Sequence, residues 1–255
     1  MSGYDYIIVG GGSAGCVLAA RLSEMPDAKV LLIEAGPRDT DPFIHMPVGF
    51  FKMTGGPLTW GYQTAPLRHA NNRVAVYPQA RVLGGGSSIN AEIYTRGCPE
   101  DYDGWSNELN CKGWSWKDLK PYFVKSEGNT RLGGSEHGIG GPLGVSDLAN
   151  PNKVSLAYVQ GCMDFGMPHN ADFNSGKLEG AGLYQTTIKN GKRCSAAVGY
   201  LKPAMKRANL TVRTDLFVNR LLTEKGRAVG VEVVNGNQFQ RLDASSEVIV
   251  TAGAI

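Results

Sequence analysis

A glycine-rich turn, Gly10-x-Gly12-x-x-Gly15, directly follows the apolar run at residues 6–9 and precedes a segment with helical spacing of apolar residues. A short β-branched run is typical of a strand buried in a parallel sheet. The first glycine permits a tight turn, the second lets backbone approach a pyrophosphate, and the third lets a helix pack on a strand. Because a helix N-terminus also attracts anions, the turn predicts a βαβ unit that binds a dinucleotide.

An acidic residue, Glu34, closes the next apolar run, residues 29–33. In dinucleotide-binding domains a carboxylate about 20 residues after the glycines accepts hydrogen bonds from the adenosine ribose. An arginine near this place would instead favour the 2′-phosphate of NADP. The residues therefore favour NAD or FAD over NADP, and leave the choice between these two open.

The same turn also contains Gly11-x-Ser13-x-Gly15, which matches the nucleophile elbow of α/β hydrolases. An elbow follows earlier strands that build the sheet and supply an oxyanion-hole loop, whereas residues 1–9 alone precede this turn. No Asp and His follow in a clear triad context. We therefore prefer the dinucleotide-binding interpretation.

Charge and composition narrow the class of protein further. The 26 basic and 23 acidic side chains give a net charge of +3 without a Lys/Arg block, so nucleic acid and anionic membranes are not expected partners. No apolar run approaches the roughly 20 residues of a transmembrane helix, and the first residues carry no basic signal region. Five scattered cysteines fit reduced thiols, and four separated histidines lack metal-ligand spacing. We expect a cytoplasmic protein with no metal site.

The rest of the chain predicts a smaller substructure placed within an α/β domain. The loop-like residues 128–150 precede an amphipathic helix near residues 155–165. Alternating apolar runs between residues 210 and 250 predict five strands, and the glycine cluster at 84–86 leads into a predicted helix. Residues 36–79 show no sustained period, and covering a bound ligand is one reason for such an irregular segment.

Three stretches resemble signatures of the glucose–methanol–choline (GMC) family of flavin oxidoreductases. The first runs from Ala80 to Asn90 and continues to Asp103, the second begins at Arg193-x-Ser195, and the third covers residues 248–254. The resemblance covers essentially the whole chain. Further stretches at residues 34–40, 44–47 and 62–66 are similar to the branch of alcohol and polyethylene glycol dehydrogenases.

The resemblance implies FAD as the cofactor. By this resemblance Gly12, Ser13 and Ala14 would lie along the pyrophosphate. Glu34 would bind the ribose, and Trp60 would lie in the segment that covers the cofactor. Arg81 to Gly85 and Asn90 to Glu92 would line the flavin edge, and Val218, which spacing alone explains better as a core residue, would contact adenine. The implied cofactor-binding residues are Gly10, Gly12, Ser13, Ala14, Gly15, Glu34, Trp60, Arg81, Val82, Gly85, Asn90, Ala91, Glu92, Val218 and Ala252.

The resemblance also implies a fold and an activity. Residues 1–128 and 190–255 would form a doubly wound, Rossmann-like FAD-binding domain, and residues 129–189 the first portion of an α+β substrate domain. The implied reaction is the oxidation of the CH–OH group of an alcohol by hydride transfer to flavin N5. Oxygen or a quinone-like acceptor would then reoxidise the flavin.

The catalytic residues of the family, a His paired with His or Asn, correspond to positions beyond residue 255. We therefore expect the N-terminal part of a longer enzyme, with the base supplied by a complementary C-terminal chain or segment. A non-catalytic flavin-binding half-module is the open alternative. A family-variant lyase or decarboxylase is a second one, because the substrate pocket would decide that chemistry.

Overall fold

The computed structural model describes residues 3–255, so residues 1 and 2, with which the predicted FAD-binding domain begins, lie outside the described residues. Its strands are β1 (Tyr4–Val9), β2 (Val30–Ile33), β3 (Tyr62–Gln63), β4 (Val76–Tyr77), β5 (Glu127–Asn129), β6 (Leu143–Val145), β7 (Ile188–Lys189), β8 (Lys192–Arg193), β9 (Leu210–Arg213), β10 (Phe217–Glu224), β11 (Arg227–Asn235) and β12 (Gln238–Val250). Its α-helices are α1 (Ser13–Leu22), α2 (Pro42–His45), α3 (Pro99–Asn107), α4 (Trp116–Ser126), α5 (Lys153–Asp164) and α6 (Lys202–Ala204). Shorter helical turns are the 3₁₀ segments Pro47–Lys52, Arg68–Ala70 and Gly85–Ser88 and the π-helical Ala197–Leu201.

A six-stranded mixed sheet carries the glycine turn, with the strand order β10-β11-β12-β1-β2-β9. The neighbours β12, β1, β2 and β9 are parallel, whereas β10, β11 and β12 pair in antiparallel fashion. All four residues of β2 are buried, as expected for an apolar strand in the middle of a parallel sheet. The βαβ unit formed by β1, α1 and β2 is the one predicted from the sequence, and the predicted Rossmann-like α/β class is confirmed.

One long strand, β12, takes the place of two predicted strands. The sequence prediction ended one strand at Leu242 and began the next at Val248, because polar residues interrupt the apolar pattern between them. The structure continues through this interval because β12 pairs first with β11 and then with β1. The register shifts near Tyr4, where the Ser245 hydroxyl donates to the Asp5 carboxylate at 2.6 Å. A polar interruption is therefore compatible with one continuous strand.

Apolar clusters form on both faces of the sheet, because successive side chains of a strand point to opposite sides. On one face, Ile8 belongs to a buried cluster with residues of α1 and of Ala197–Leu201. On the other face, Ile7 belongs to a cluster that includes Val231 of β11. The two clusters fix β1 in place from both sides and so hold the glycine turn that follows it.

The glycine cluster at 84–86 leads into the 3₁₀ turn Gly85–Ser88 and then into irregular chain up to Pro99, so the helix predicted to follow the cluster is wrong. Gly84 and Gly85 have φ values of 90° and 55°, which are left-handed and cannot continue a right-handed helix. A Cβ on Gly85 would lie 2.6 Å from the Gly12 Cα atom. The turn therefore brings two backbones together, and glycine serves that approach rather than a helix start.

The described residues divide into two compact units. One contains the described residues up to Ala91 together with Ser195–Ile255, and the other is Glu92–Cys194. The compact units change at residues 91/92 and 194/195. The predicted FAD-binding and substrate domains change at residues 128/129 and 189/190. The functional domain boundaries stay a prediction.

Inside the unit Glu92–Cys194, a buried carboxylate organises the polar core. Glu127 is fully buried and accepts hydrogen bonds from Arg96 at 2.5 Å and from Asn129 at 2.8 Å. The His137 ring Nδ1 lies 3.1 Å from the same carboxylate, and the Gly138 N–H donates to it at 3.0 Å. A buried charge is tolerated only when it is paired and hydrogen-bonded, and these partners meet that condition.

Within residues 3–255, no helix combines the length and the apolar character that spanning a membrane requires.

Candidate functional site

A cavity of about 360 Å³ lies at the carboxyl ends of β1, β2 and β12. Open α/β sheets bind their ligands outside the carboxyl ends of parallel strands, so this is where the fold places a site. The last residues of β1 and β2, Val9 and Ile33, form part of its wall. The predicted cofactor residues that line it are Gly10, Gly12, Ser13, Ala14, Glu34, Trp60, Gly85, Val218 and Ala252.

The three glycines of the turn have different surroundings. A Cβ on Gly15 would lie 1.9 Å from the Gly10 carbonyl oxygen, so Gly15 permits α1 to pack against the turn. Gly10 has a φ of 100°, which glycine adopts without steric cost. A Cβ on Gly12, in contrast, would come no closer than 4.0 Å to Gly85 or Thr251 and would occupy open space beside the cavity. The protein itself therefore leaves room at Gly12, which fits a closely approaching ligand.

Helix α1 begins at this cavity with its first N–H groups available. Its N-cap residue is Gly12, and no side chain caps the helix. The first N–H groups of a helix have no partner within the helix and carry positive potential. Ser13 and Ala14, the first two helical residues, both line the cavity. Together with the space at Gly12, this helix start fits the pyrophosphate of a dinucleotide.

Glu34 is 7% exposed and links the glycine turn to the end of β2. One carboxylate oxygen accepts a hydrogen bond from the Gly11 N–H and the other from the Gly36 N–H, each at 2.8 Å. Burial raises the pKa of this carboxyl, and the two backbone hydrogen bonds oppose the rise. Each oxygen keeps a further lone pair, so the carboxylate can also accept from a ribose hydroxyl.

Cys16 lies on the inner side of the same turn. Its thiol lies 3.2 Å from the Gly11 carbonyl oxygen, and burial raises its pKa to about 12. At neutral pH the thiol is therefore protonated and can donate to that carbonyl. Cys16 is a packing residue with a hydrogen bond and not a nucleophile.

Aromatic side chains form another wall of the cavity. Trp60 and Phe217 both line it, and their ring centroids lie 6.2 Å apart in an edge-to-face arrangement. Tyr62 stacks with Trp60 at 6.1 Å, and the Arg81 guanidinium lies 5.1 Å from the Trp60 ring centroid. Arg81 also donates to the Ala35 carbonyl at 3.2 Å. The segment that carries Trp60 is thereby connected to the end of β2.

Other predicted residues lie outside the lining. Val82 is fully buried in an apolar cluster, and Arg81, Asn90 and Ala91 are exposed. Glu92 is buried in the unit Glu92–Cys194 with a φ of 63°, 3.7 Å from the Arg193 guanidinium, and burial raises its pKa. The roles predicted for these residues at the flavin edge stay predictions.

Several lining residues were missed by sequence reasoning. The Thr251 hydroxyl lies 2.8 Å from the Gly10 carbonyl oxygen and 3.1 Å from that of Val9, so it joins the ends of β12 and β1. The position of Thr251 directly after the apolar run 248–250 is the sequence signal that could have identified it. Phe217 had no signal, because its place depends on β10 lying at one edge of the sheet. Missed lining residues also include Pro78, Gln79, Leu216 and Gly253.

Comparison with known proteins places the chain among flavin enzymes. The family profile described as GMC oxidoreductase matches residues 4–255. An alcohol dehydrogenase [acceptor] of Pseudomonas putida is 45% identical over 256 residues, which cover 99% of this chain and 46% of that protein. The chain thus spans about half the length of the curated relatives it matches.

Solved structures agree with the sequence comparison. The crystal structure of pyridoxine 4-oxidase from Mesorbium loti superposes with a TM-score of 0.94 at 35% identity, covering 99% of this chain and 50% of that one. An FAD-dependent oxidoreductase from Chaetomium thermophilum gives a TM-score of 0.91 at 32% identity, covering 98% and 45%. The cavity at the strand ends, the open helix start and these matches agree, and the chain belongs to the GMC oxidoreductase family.

Proposed function

We propose that this chain is the FAD-binding part of an oxidoreductase that acts on the CH–OH group of alcohols. The observation that carries the proposal is the cavity in which the open start of α1, the space at Gly12 and the Glu34 carboxylate meet. A dinucleotide needs all three features, for its pyrophosphate and its ribose. Membership of a flavin family supports FAD over NAD.

The chain's own residues would bind and orient the cofactor. The N–H groups of Ser13 and Ala14 would hold the pyrophosphate, and Glu34 would hold the ribose. Trp60, Phe217 and Val218 would surround the adenine end and exclude water from it. When bound, FAD supplies the redox chemistry by accepting a hydride from the alcohol carbon at N5.

We also propose a class of substrate and of electron acceptor. Relatives named as an alcohol dehydrogenase and a pyridoxine 4-oxidase support a small hydroxyl compound, with oxygen or a quinone-like acceptor. Because these relatives are about twice as long, we propose that a complementary C-terminal segment supplies the catalytic base. Cytoplasmic location is part of the proposal, and the five free cysteines support it.

The absorption spectrum of the purified chain tests this proposal. The chain is incubated with FAD, unbound FAD is removed, and spectra are recorded before and after anaerobic addition of a primary alcohol. A yellow protein that bleaches supports alcohol oxidation and calls for a mass measurement to find a second chain. A yellow protein that stays yellow confines this chain to holding FAD, so that alcohol oxidation would require the complementary C-terminal segment. A protein that remains colourless after incubation with FAD contradicts the assigned cofactor.

A further inference from the structure

We infer that Arg81 is a positioning residue that holds the Trp60 indole across the cavity and thereby slows the release of FAD. This inference rests on the proposed function and concerns the kinetics of the same site. It starts from the observation that Arg81 does not line the cavity, although it contacts two residues that do.

The wall that contains Trp60 belongs to a segment with little burial. Residues 61–79 are exposed or partly exposed, and β3 and β4 within them are two-residue strands. Backbone bonds fix the base of this segment, where the Trp60 N–H donates to the Gln79 carbonyl at 2.9 Å and the Arg81 N–H donates to the Leu58 carbonyl at 2.7 Å. These bonds hold the backbone but leave the indole free to rotate about its side-chain torsions.

Arg81 restrains the indole through its guanidinium. The planar group lies 5.1 Å from the Trp60 ring centroid, which is the distance of a cation–π contact. Its Nη2 donates to the carbonyl of Ala35, a lining residue next to Glu34. One side chain therefore joins the ring on one wall of the cavity to the backbone on another wall. Arginine suits this role because its planar guanidinium group can stack on an aromatic ring and donate a hydrogen bond at the same time.

Phe217 restrains the same ring from a further direction. It is the first residue of β10, and its ring meets the Trp60 indole edge to face at 6.2 Å. The indole is thus held between an aromatic edge and a cation, in the part of the cavity that also contains Glu34. A ligand bound beside Glu34 would contact this wall, so fixing the indole is expected to slow the ligand's release.

The test compares Arg81→Met and Arg81→Lys with Arg68→Met in the full chain loaded with FAD. Arg68 is an exposed arginine in the same segment and serves as the matched control. Flavin fluorescence after dilution gives the release rate, and stopped-flow mixing gives the association rate. Loss of an exposed cation–π contact and one hydrogen bond predicts release about fivefold faster in Arg81→Met. Arg81→Lys keeps the charge but lacks the planar guanidinium group, so we expect its release rate to stay close to that of Arg81→Met. The release rate of Arg68→Met should match that of the wild type.

A measurement on the protein without flavin distinguishes a loss of Trp60 positioning from a general loss of stability. Acrylamide quenching of the Trp60 emission, taken as the difference from Trp60→Phe in each background, should increase in Arg81→Met. The melting temperature and the association rate should not fall, whereas a merely structural role would lower both. Phe217→Leu should also accelerate release.

Each contrary result has a distinct meaning. An unchanged release rate in Arg81→Met, or full rescue by Arg81→Lys, overturns the inference and leaves the proposed function standing. A wild-type chain that retains no FAD overturns the proposed function and this inference with it.

Discussion

Gly12 and Gly15 lie three positions apart in the turn after β1, and a side chain would meet different surroundings at each. Gly12→Ala places its Cβ in open space next to the cavity, so we expect an unchanged free energy of unfolding but an FAD affinity at least about tenfold lower, or about 1.4 kcal/mol. Gly15→Ala is the contrasting variant. Its Cβ would meet the Gly10 carbonyl oxygen at 1.9 Å, and overpacking of this kind costs about 1 to 3 kcal/mol of stability. Titration with FAD and urea unfolding distinguish the two, and equal effects of both variants on stability would contradict these roles.

We expect Glu34 to make FAD binding dependent on pH. Burial raises the pKa of its carboxyl above 4.5, so the group takes up a proton at a higher pH than an ordinary glutamate as the solution is acidified. The protonated form loses an acceptor for the Gly11 or Gly36 N–H and for the ribose. We expect FAD affinity to fall on acidification through this raised pKa, and affinities measured over a pH series test it.

Glu34→Gln and Glu34→Ala serve as the variants for that series. Each should weaken FAD binding at neutral pH by about 1.5 to 3 kcal/mol, through the loss of hydrogen bonds to a charged acceptor. The pH dependence assigned to Glu34 should disappear in both. If the wild type and Glu34→Gln show parallel pH profiles, another group is responsible.

The cavity residues that the sequence predicted lie close together along the chain, whereas the residues that it missed come from distant segments. Gly12, Ser13 and Glu34 belong to one contiguous βαβ unit, in which local spacing determines where each side chain lies. Phe217 and Gln79 reach the cavity only through the sheet order and the path of an irregular segment. Long-range placement of that kind leaves no periodic trace in the sequence, so these residues were missed.

Among the structural elements, the ends of β12 and β1 are joined by a side-chain hydroxyl in addition to their backbone pairing. Thr251 lies within hydrogen-bond distance of the carbonyl oxygens of Val9 and Gly10 at the point where both strands end. Thr251→Val keeps the shape but removes the hydroxyl, and we expect a loss of about 0.5 to 1.5 kcal/mol in the free energy of unfolding. Thr251→Ser is the matched control, because it keeps the donor. Chemical unfolding checks this, and a serine variant as unstable as the valine variant would assign the effect to the lost methyl group.

The elements also show where pattern analysis is reliable. The apolar runs of β1 and β2 and the spacing in α1 predicted three adjacent elements, since each pattern is local. The helix predicted after the glycine cluster is wrong, because the cluster forms a tight turn against Gly12 and the chain stays irregular until Pro99. The gap predicted within β12 failed because a strand can change its pairing partner without ending.

For the molecule as a whole, the residues that line the cavity all belong to the unit that combines the described residues up to Ala91 with Ser195–Ile255. The ion pair of Arg96 and Glu127 lies in the other unit, with both side chains fully buried. Arg96→Met removes one partner of this pair, which costs about 3 to 5 kcal/mol at buried sites. We expect faster hydrogen exchange within Glu92–Cys194 and an unchanged FAD affinity.

Hydrogen exchange followed by mass spectrometry, together with an FAD titration, measures both quantities. Lys120→Met is a suitable control, because its partner Glu136 is partly exposed and exposed pairs contribute about 0 to 1 kcal/mol. A large drop in FAD affinity for Arg96→Met would show that the two units are energetically coupled.

The pairing of β1 with β12 joins residues far apart in the sequence, Val9 with Val250. During synthesis on the ribosome, one edge of β1 therefore stays without its neighbour while the intervening residues are made. At about 5 to 20 residues per second, this interval lasts on the order of ten seconds or more. An open strand edge is a template for unwanted pairing, so the nascent chain has a long period in which chaperone protection matters. The wall of the cavity is complete only after β12 has emerged, because Thr251 and Ala252 form part of it.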